Sequence, residues 1–83
     1  MSKSTPKITV LESPDLVAFI AVHQGIQPRP FLRKSDRKIV FEFTGDIRPS
    51  IDAFYRNVPV PVSDFCMNLK RIRSMIFTLR TEA

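Results

Sequence analysis

Ser63-Asp-Phe-Cys-Met-Asn-Leu-Lys-Arg-Ile-Arg-Ser-Met-Ile-Phe-Thr-Leu79 carries large apolar side chains at Phe65, Leu69, Ile72, Ile76 and Leu79. Gaps of four, three, four and three residues set these five on one helical stripe. Ahead of it, Lys38-Ile-Val-Phe-Glu-Phe43 alternates with period two. That puts Ile39, Phe41 and Phe43 on one strand face, and Val40 and Glu42 on the other. A helix with such a stripe needs an apolar surface to cover, and this strand offers one. The pair specifies a fold without naming a reaction. It points to a small basic α+β domain that binds rather than catalyses.

Working backwards, Lys34-Ser-Asp-Arg37 separates Phe31-Leu-Arg33 from Lys38–Phe43, a polar turn between two β-rich runs. The segments predict a two-stranded antiparallel hairpin. Gln27-Pro-Arg-Pro30 leads into it extended, because a residue before proline is pushed toward β or polyproline geometry. A lone ribbon is marginal in water, so helices must cover its apolar face. Further upstream, Ser13-Pro14-Asp15 reads as a helix start, with a capping hydroxyl, a proline suited to the first turn and an acid at the positive end of the dipole. Leu16, Val17, Phe19, Ile20 and Val22 follow, and Gly25 supplies the stop, so a largely buried helix is expected over 14–24. Ile8-Thr-Val-Leu11 is either a short strand or a tethered arm.

Beyond the hairpin, Asp46 is placed to cap a helix over about 47–57, with Pro49 in its first turn and Asn57 as terminator. Ile47, Ile51, Phe54 and Tyr55 make its expected inner face. Val58-Pro-Val-Pro-Val62 stays extended, and Ser63 caps the final helix. The expected order is α–β–β–α–α on a two-stranded hairpin, with a short N-terminal strand as an option. Residues 1–7 are expected to form a disordered tail, 8–80 one α+β domain and 81–83 a frayed end.

The 83 residues bound the rest. At this size folding buries only about 60–65% of the unfolded surface. The core is thin, and either the seven phenylalanines or self-association must supplement it. One cysteine, Cys66, excludes an internal disulfide and a thiolate-rich zinc site, and one histidine, His23, excludes paired-histidine metal motifs. Two glycines leave no phosphate-cradling loop. No cofactor, metal or small-molecule substrate is therefore expected. No apolar run is long enough for a membrane span, and the N-terminus has no secretory pattern, so a cytoplasmic location is expected.

The order of motifs also resembles a known family. A helix beginning Asp-Leu and ending at Gly25 is followed by Ile39-Val-Phe-Glu-Phe43 and Ala53-Phe-Tyr-Arg-Asn57. Val58-x-Val60 and Phe65-x-x-x-Leu69-Lys-Arg-Ile72 come next. The pattern, over about residues 15–77, resembles small uncharacterised domains of bacteria and their phages. The resemblance implies a compact helix–hairpin–helix–helix unit. It implies no activity, no cofactor and no catalytic residues. The basic hairpin turn and the two proline-rich linkers have no counterpart in that pattern.

Net charge is +5, which suits an acidic protein, nucleic acid or another anionic partner. Two basic clusters are candidates. Arg29, Arg33, Lys34, Arg37 and Lys38 crowd the hairpin, either to meet phosphates or as a solvated turn whose charges discourage edge pairing. Lys70, Arg73 and Arg80 surround Phe77 on one flank of the last helix, either to hold phosphate beside a stacked base or to snorkel along the core edge. Tyr55 is either a second stacking residue or a core-edge tyrosine with a wet hydroxyl. Catalytic residues are not expected, because nothing in the spacing joins Cys66 to His23. Met67, Met75, Phe77 and Val40 fall off the main stripes and offer an apolar contact face. The expected function is therefore a binding module for a protein partner or a second copy, with DNA or RNA binding through the basic clusters as the alternative.

Overall fold

A computed structural model describes residues 7–82. In chain order the elements are β1 (Ile8–Leu11), α1 (Pro14–Gln24), β2 (Arg29–Arg33), β3 (Lys38–Thr44), α2 (Arg48–Tyr55) and α3 (Val62–Glu82). The ribbon expected from the sequence is present and gains a third strand. β1 pairs antiparallel with β3, giving the order β1-β3-β2. Ile8 faces Thr44 and Leu11 faces Phe41 on one side of β3, while Phe31 faces Val40 and Arg33 faces Lys38 on the other. The option left open for Ile8–Leu11 therefore resolves as a strand. The expected N-terminal tail lies outside the described residues except for Lys7. Its carbonyl accepts from the Gly45 N–H at 2.7 Å and extends the β1–β3 ladder by one bond.

One face of the sheet meets the helices. Ile39, Phe41 and Phe43 of β3 close on Leu16, Val17, Ala18 and Ile20 of α1, with Ile47 and Ile72 completing the buried set. Leu11, Leu32, Ile51, Phe54, Phe65 and Leu69 pack against this set, so every element contributes to one core. α1 lies between α2 and α3, and α3 also crosses β2. That position explains why Leu16–Ala21 are all buried: the helix has packed neighbours on three sides and has no single wet face.

The helix ends follow local chemistry. The Ser13 hydroxyl accepts from the Leu16 N–H at 3.4 Å, and Gly25 closes α1 in the left-handed region at φ 67°. Asn57 closes α2 at φ 60°, with the Val58 N–H on the Ala53 carbonyl and the Asn57 N–H on the Phe54 carbonyl. This is the Schellman pattern, in which two otherwise free carbonyls are satisfied. α2 is shorter than the 47–57 read from the sequence. Its first turn is served by Asp46 from one position outside, the carboxylate accepting from the Arg48 N–H at 3.1 Å. Ser63 does not cap α3. That helix opens at Val62, and the Pro61 carbonyl accepts from the Phe65 N–H at 3.0 Å. Thr81, expected to fray, is helical and donates its hydroxyl to the Phe77 carbonyl at 2.8 Å.

Candidate interaction surfaces

The hairpin cations are largely neutralised. Arg29 binds Glu42 at 2.9 Å. Arg33 binds Glu12 at 2.5 Å and Asp36 at 2.6 Å, and Lys38 approaches Glu12 at 3.8 Å. The sequence showed Asp36 beside these cations. Glu12 and Glu42 arrive through strand register, since Arg29 faces Glu42 directly and Glu12 follows Leu11, the partner of Phe41. The Arg33 hydrogen bond holds the Asp36 carboxyl below its ordinary range, and the carboxylates on either side raise Arg33 in turn. Lys34 and Arg37 are the hairpin cations without an ion pair among the described residues. Arg37 sits at the tip in the left-handed region, φ 59°, where its N–H donates to the Arg33 carbonyl at 2.7 Å.

This network corrects one expectation. Val40 belongs to the sheet face turned away from the helices, yet it is wholly buried and offers no contact surface. Strand register sets Phe31 opposite it, and Arg33 of β2 reaches across β3 to Glu12.

The flank of α3 is divided. Arg73 lies 3.9 Å from Asp15 of α1, while Lys70 and Arg80 have no ion pair among the described residues. Phe77 is 72% exposed and Tyr55 equally so. The two stacking candidates stand on different helices. Tyr55 does not join the inner face of α2; its ring meets Phe54 edge-on at 5.1 Å. Met67 is exposed, and Met75 is half-buried against the core.

Between α3 and the edge strand β2 runs an open groove of about 410 Å³, lined by Pro30, Arg71, Ser74, Met75, Thr78 and Leu79. Met75, Leu79 and Pro30 make its floor apolar. Arg71 is held there by the neutral Gln27 side chain, Nη1 to Oε1 3.1 Å, so its charge is oriented without being neutralised. A smaller depression of about 250 Å³ lies under the proline-rich linker, between Phe19, Phe54 and Phe65. Helical periodicity supplied α3's inner stripe. The groove was not legible because its second wall, Pro30, is more than forty residues away from Met75.

A polar cluster joins α1 to α2. The buried Ser50 hydroxyl donates to Gln24 Oε1 at 2.6 Å and lies 2.7 Å from His23 Nδ1. An amide oxygen only accepts, so Ser50 spends its proton on Gln24 and the imidazole must donate. A nucleophilic pair needs the opposite polarity, with the histidine receiving the serine proton. The cluster is therefore a helix–helix fastening. Cys66 is exposed on α3 and shares no hydrogen bond with His23 among the described residues. Among those residues, too, no three His, Cys, Asp or Glu side chains converge as metal ligands, and no helix is long and apolar enough to cross a membrane.

No family model, no curated protein and no solved structure matches this chain.

Proposed function

We propose that this chain is a non-enzymatic binding module that meets a protein partner on α3. The observation that carries the reading is a contrast between helices. α1 buries six of its 11 residues, whereas α3 buries Ile72 alone among residues 62–81. A helix of about 30 Å that leaves Val62, Met67 and Phe77 more than 60% exposed has apolar surface beyond what its own core uses. The groove beside β2 extends that surface. The pairing of Arg29, Arg33 and Lys38 weakens the competing electrostatic reading. The resemblance to small bacterial and phage domains, which implies no activity, fits a binding module of this kind, acting in the cytoplasm. Self-association is one form of the proposal. A light-scattering mass that stays monomeric across a wide concentration series removes that form.

The test of the wider proposal is site-specific photo-crosslinking in extract of the source cell. A photoreactive residue at Ser74 should capture a discrete protein, and one at Ser35 in the hairpin turn should not. Capture at Ser35 alone would overturn the α3 assignment.

Nucleic acid is the second reading, favoured by one observation. Arg37 occupies a backbone region that suits glycine, and its charge has no ion pair among the described residues. With Lys34, Lys70 and Arg80 it would contact phosphates, and Phe77 or Tyr55 would stack. The double variant Lys34→Glu/Arg37→Glu should then lose retention on a DNA or RNA column that the parent shows at low salt. Equal retention of parent and variant ends that reading.

A further inference from the structure

Six acidic residues, Glu12, Asp15, Asp36, Glu42, Asp46 and Asp52, are engaged with lysine or arginine. Among the described residues the cations left over on α3 are Lys70, Arg71 and Arg80. Arg71 stands in the groove, and Lys70 projects about 100° around the helix from it, with Ser74 between them. Among the described residues no carboxylate lines the groove. Its chemistry is thus an apolar floor of Pro30, Met75 and Leu79 beneath an oriented guanidinium whose charge has no counter-ion among the described residues.

Building on the protein-binding reading above, we infer that the α3–β2 groove receives an acidic amphipathic segment of a partner protein, with apolar side chains on Met75 and Leu79 and a carboxylate on Arg71. The geometry suits this occupant. From Arg71 to Leu79 the helix rises about 12 Å, the length of two turns of a facing helix. The planar fork of Arg71 matches a carboxylate in a way a lysine would not, and Gln27 holds it ready, so little side-chain freedom is lost on binding. A second copy of this chain is a poor occupant by the same charges. Two copies paired through this groove would offer Arg71 no carboxylate, because among the described residues none lines the groove on either copy, and a charge desolvated without a partner is costly. The segment is recognised as a helix laid in a groove, one of the recurring modes of peptide recognition.

The experiment uses three labelled synthetic peptides and fluorescence anisotropy. The first repeats leucine at helical spacing with glutamate elsewhere; the second replaces each glutamate by lysine; the third keeps the glutamates and replaces each leucine by serine. The expected result is saturable binding of the first peptide in the micromolar range, with the other two at least about tenfold weaker. Arg71→Glu should weaken the first peptide by about tenfold or more, while Arg37→Glu, the same charge change at the hairpin tip, should shift it less than about twofold. Arg71→Gln and Thr78→Trp, both at exposed positions, repeat the test with smaller disturbance. The first removes the charge and the second fills the groove. Equal losses in Arg71→Glu and Arg37→Glu, or equal binding of the serine peptide, would overturn the inference by showing that net charge alone is at work. The same holds if no peptide binds. If the lysine peptide binds as well as the glutamate peptide and both are lost in Thr78→Trp, the docking reading stands and the acidic partner is overturned.

Discussion

The His23 imidazole donates from Nδ1 to the buried hydroxyl of Ser50 at 2.7 Å and so fastens the last turn of α1 to the first turn of α2. The direction follows from Gln24, whose amide oxygen takes the Ser50 proton. Phe19 stacks on the same imidazole with ring centroids 5.3 Å apart, so the ring is held by packing as well as by its hydrogen bond.

Removing the Ser50 hydroxyl should therefore weaken the fold without unfolding it. Ser50→Ala strips two hydrogen bonds from a buried position and is expected to cost about 1–3 kcal/mol. His23→Ala should cost a similar amount, and the double variant less than the sum of the two. Urea unfolding of the four proteins measures this coupling. Strict additivity would contradict the fastening. In the neutral imidazole the proton should reside on Nδ1, which long-range proton–nitrogen NMR correlation reads directly.

Backbone strain makes opposite predictions at two positions. Gly25 has φ 67° and open space where a Cβ would stand, so Gly25→Ala carries a conformational penalty and no clash. The expected loss is about 1 kcal/mol. Arg37 holds a similar φ with a full side chain, so Arg37→Gly should raise stability by about 0.5–1 kcal/mol. Denaturant midpoints test both. A loss of stability in Arg37→Gly would mean that its side chain supports the fold.

Asp46 should titrate well below an ordinary aspartate. The Arg48 guanidinium is the larger cause and the Arg48 N–H the second, and together they lower the carboxyl from 3.8 to about 2. A depressed folded-state value means that this group supports the fold above the unfolded value. The support fades as pH falls from that value through about 2. Carboxyl-carbon NMR should place the Asp46 midpoint near about 2, and Arg48→Ala should return it toward 3.8. A midpoint already near 3.8 in the parent would contradict the ion pair.

Phe41 is the least replaceable core residue. It is wholly buried on the central strand, between Leu11 and Pro30 of the two neighbouring strands. Phe41→Ala is expected to cost about 3–5 kcal/mol. In a domain whose total stability lies toward the low end of about 5–15 kcal/mol, that is enough to leave much of the population unfolded. Far-ultraviolet circular dichroism should lose most of its cooperative melting transition. A variant that melts like the parent would contradict the core assignment.

What the sequence revealed was local. Ser13, Gly25 and Asn57 mark helix ends through chemistry that acts within a few residues, and α3's stripe repeats at helical spacing. What it concealed depends on register between distant segments. Ile8–Leu11 is too short to declare itself, and it becomes a strand because Phe41–Thr44 offers a free edge some 30 residues later. The hairpin cations read either as a phosphate-binding patch or as a solvated turn, and the acids that strand pairing brings to them, Glu42 and Glu12, are not visible in the sequence pattern. Tyr55 falls outside the core because α2 ends there, and its exposed ring leans edge-on against Phe54. The groove is invisible in the same way, built from one residue of β2 and a face of α3.

Amide NMR of the labelled protein, titrated with the leucine–glutamate peptide, tests most directly where this molecule meets a partner. The shifts should concentrate on Arg71, Ser74, Met75, Thr78 and Leu79, and extend to Phe31 across the groove. Shifts concentrated on Lys34 to Lys38 instead, with α3 unmoved, would contradict a docking face on the last helix.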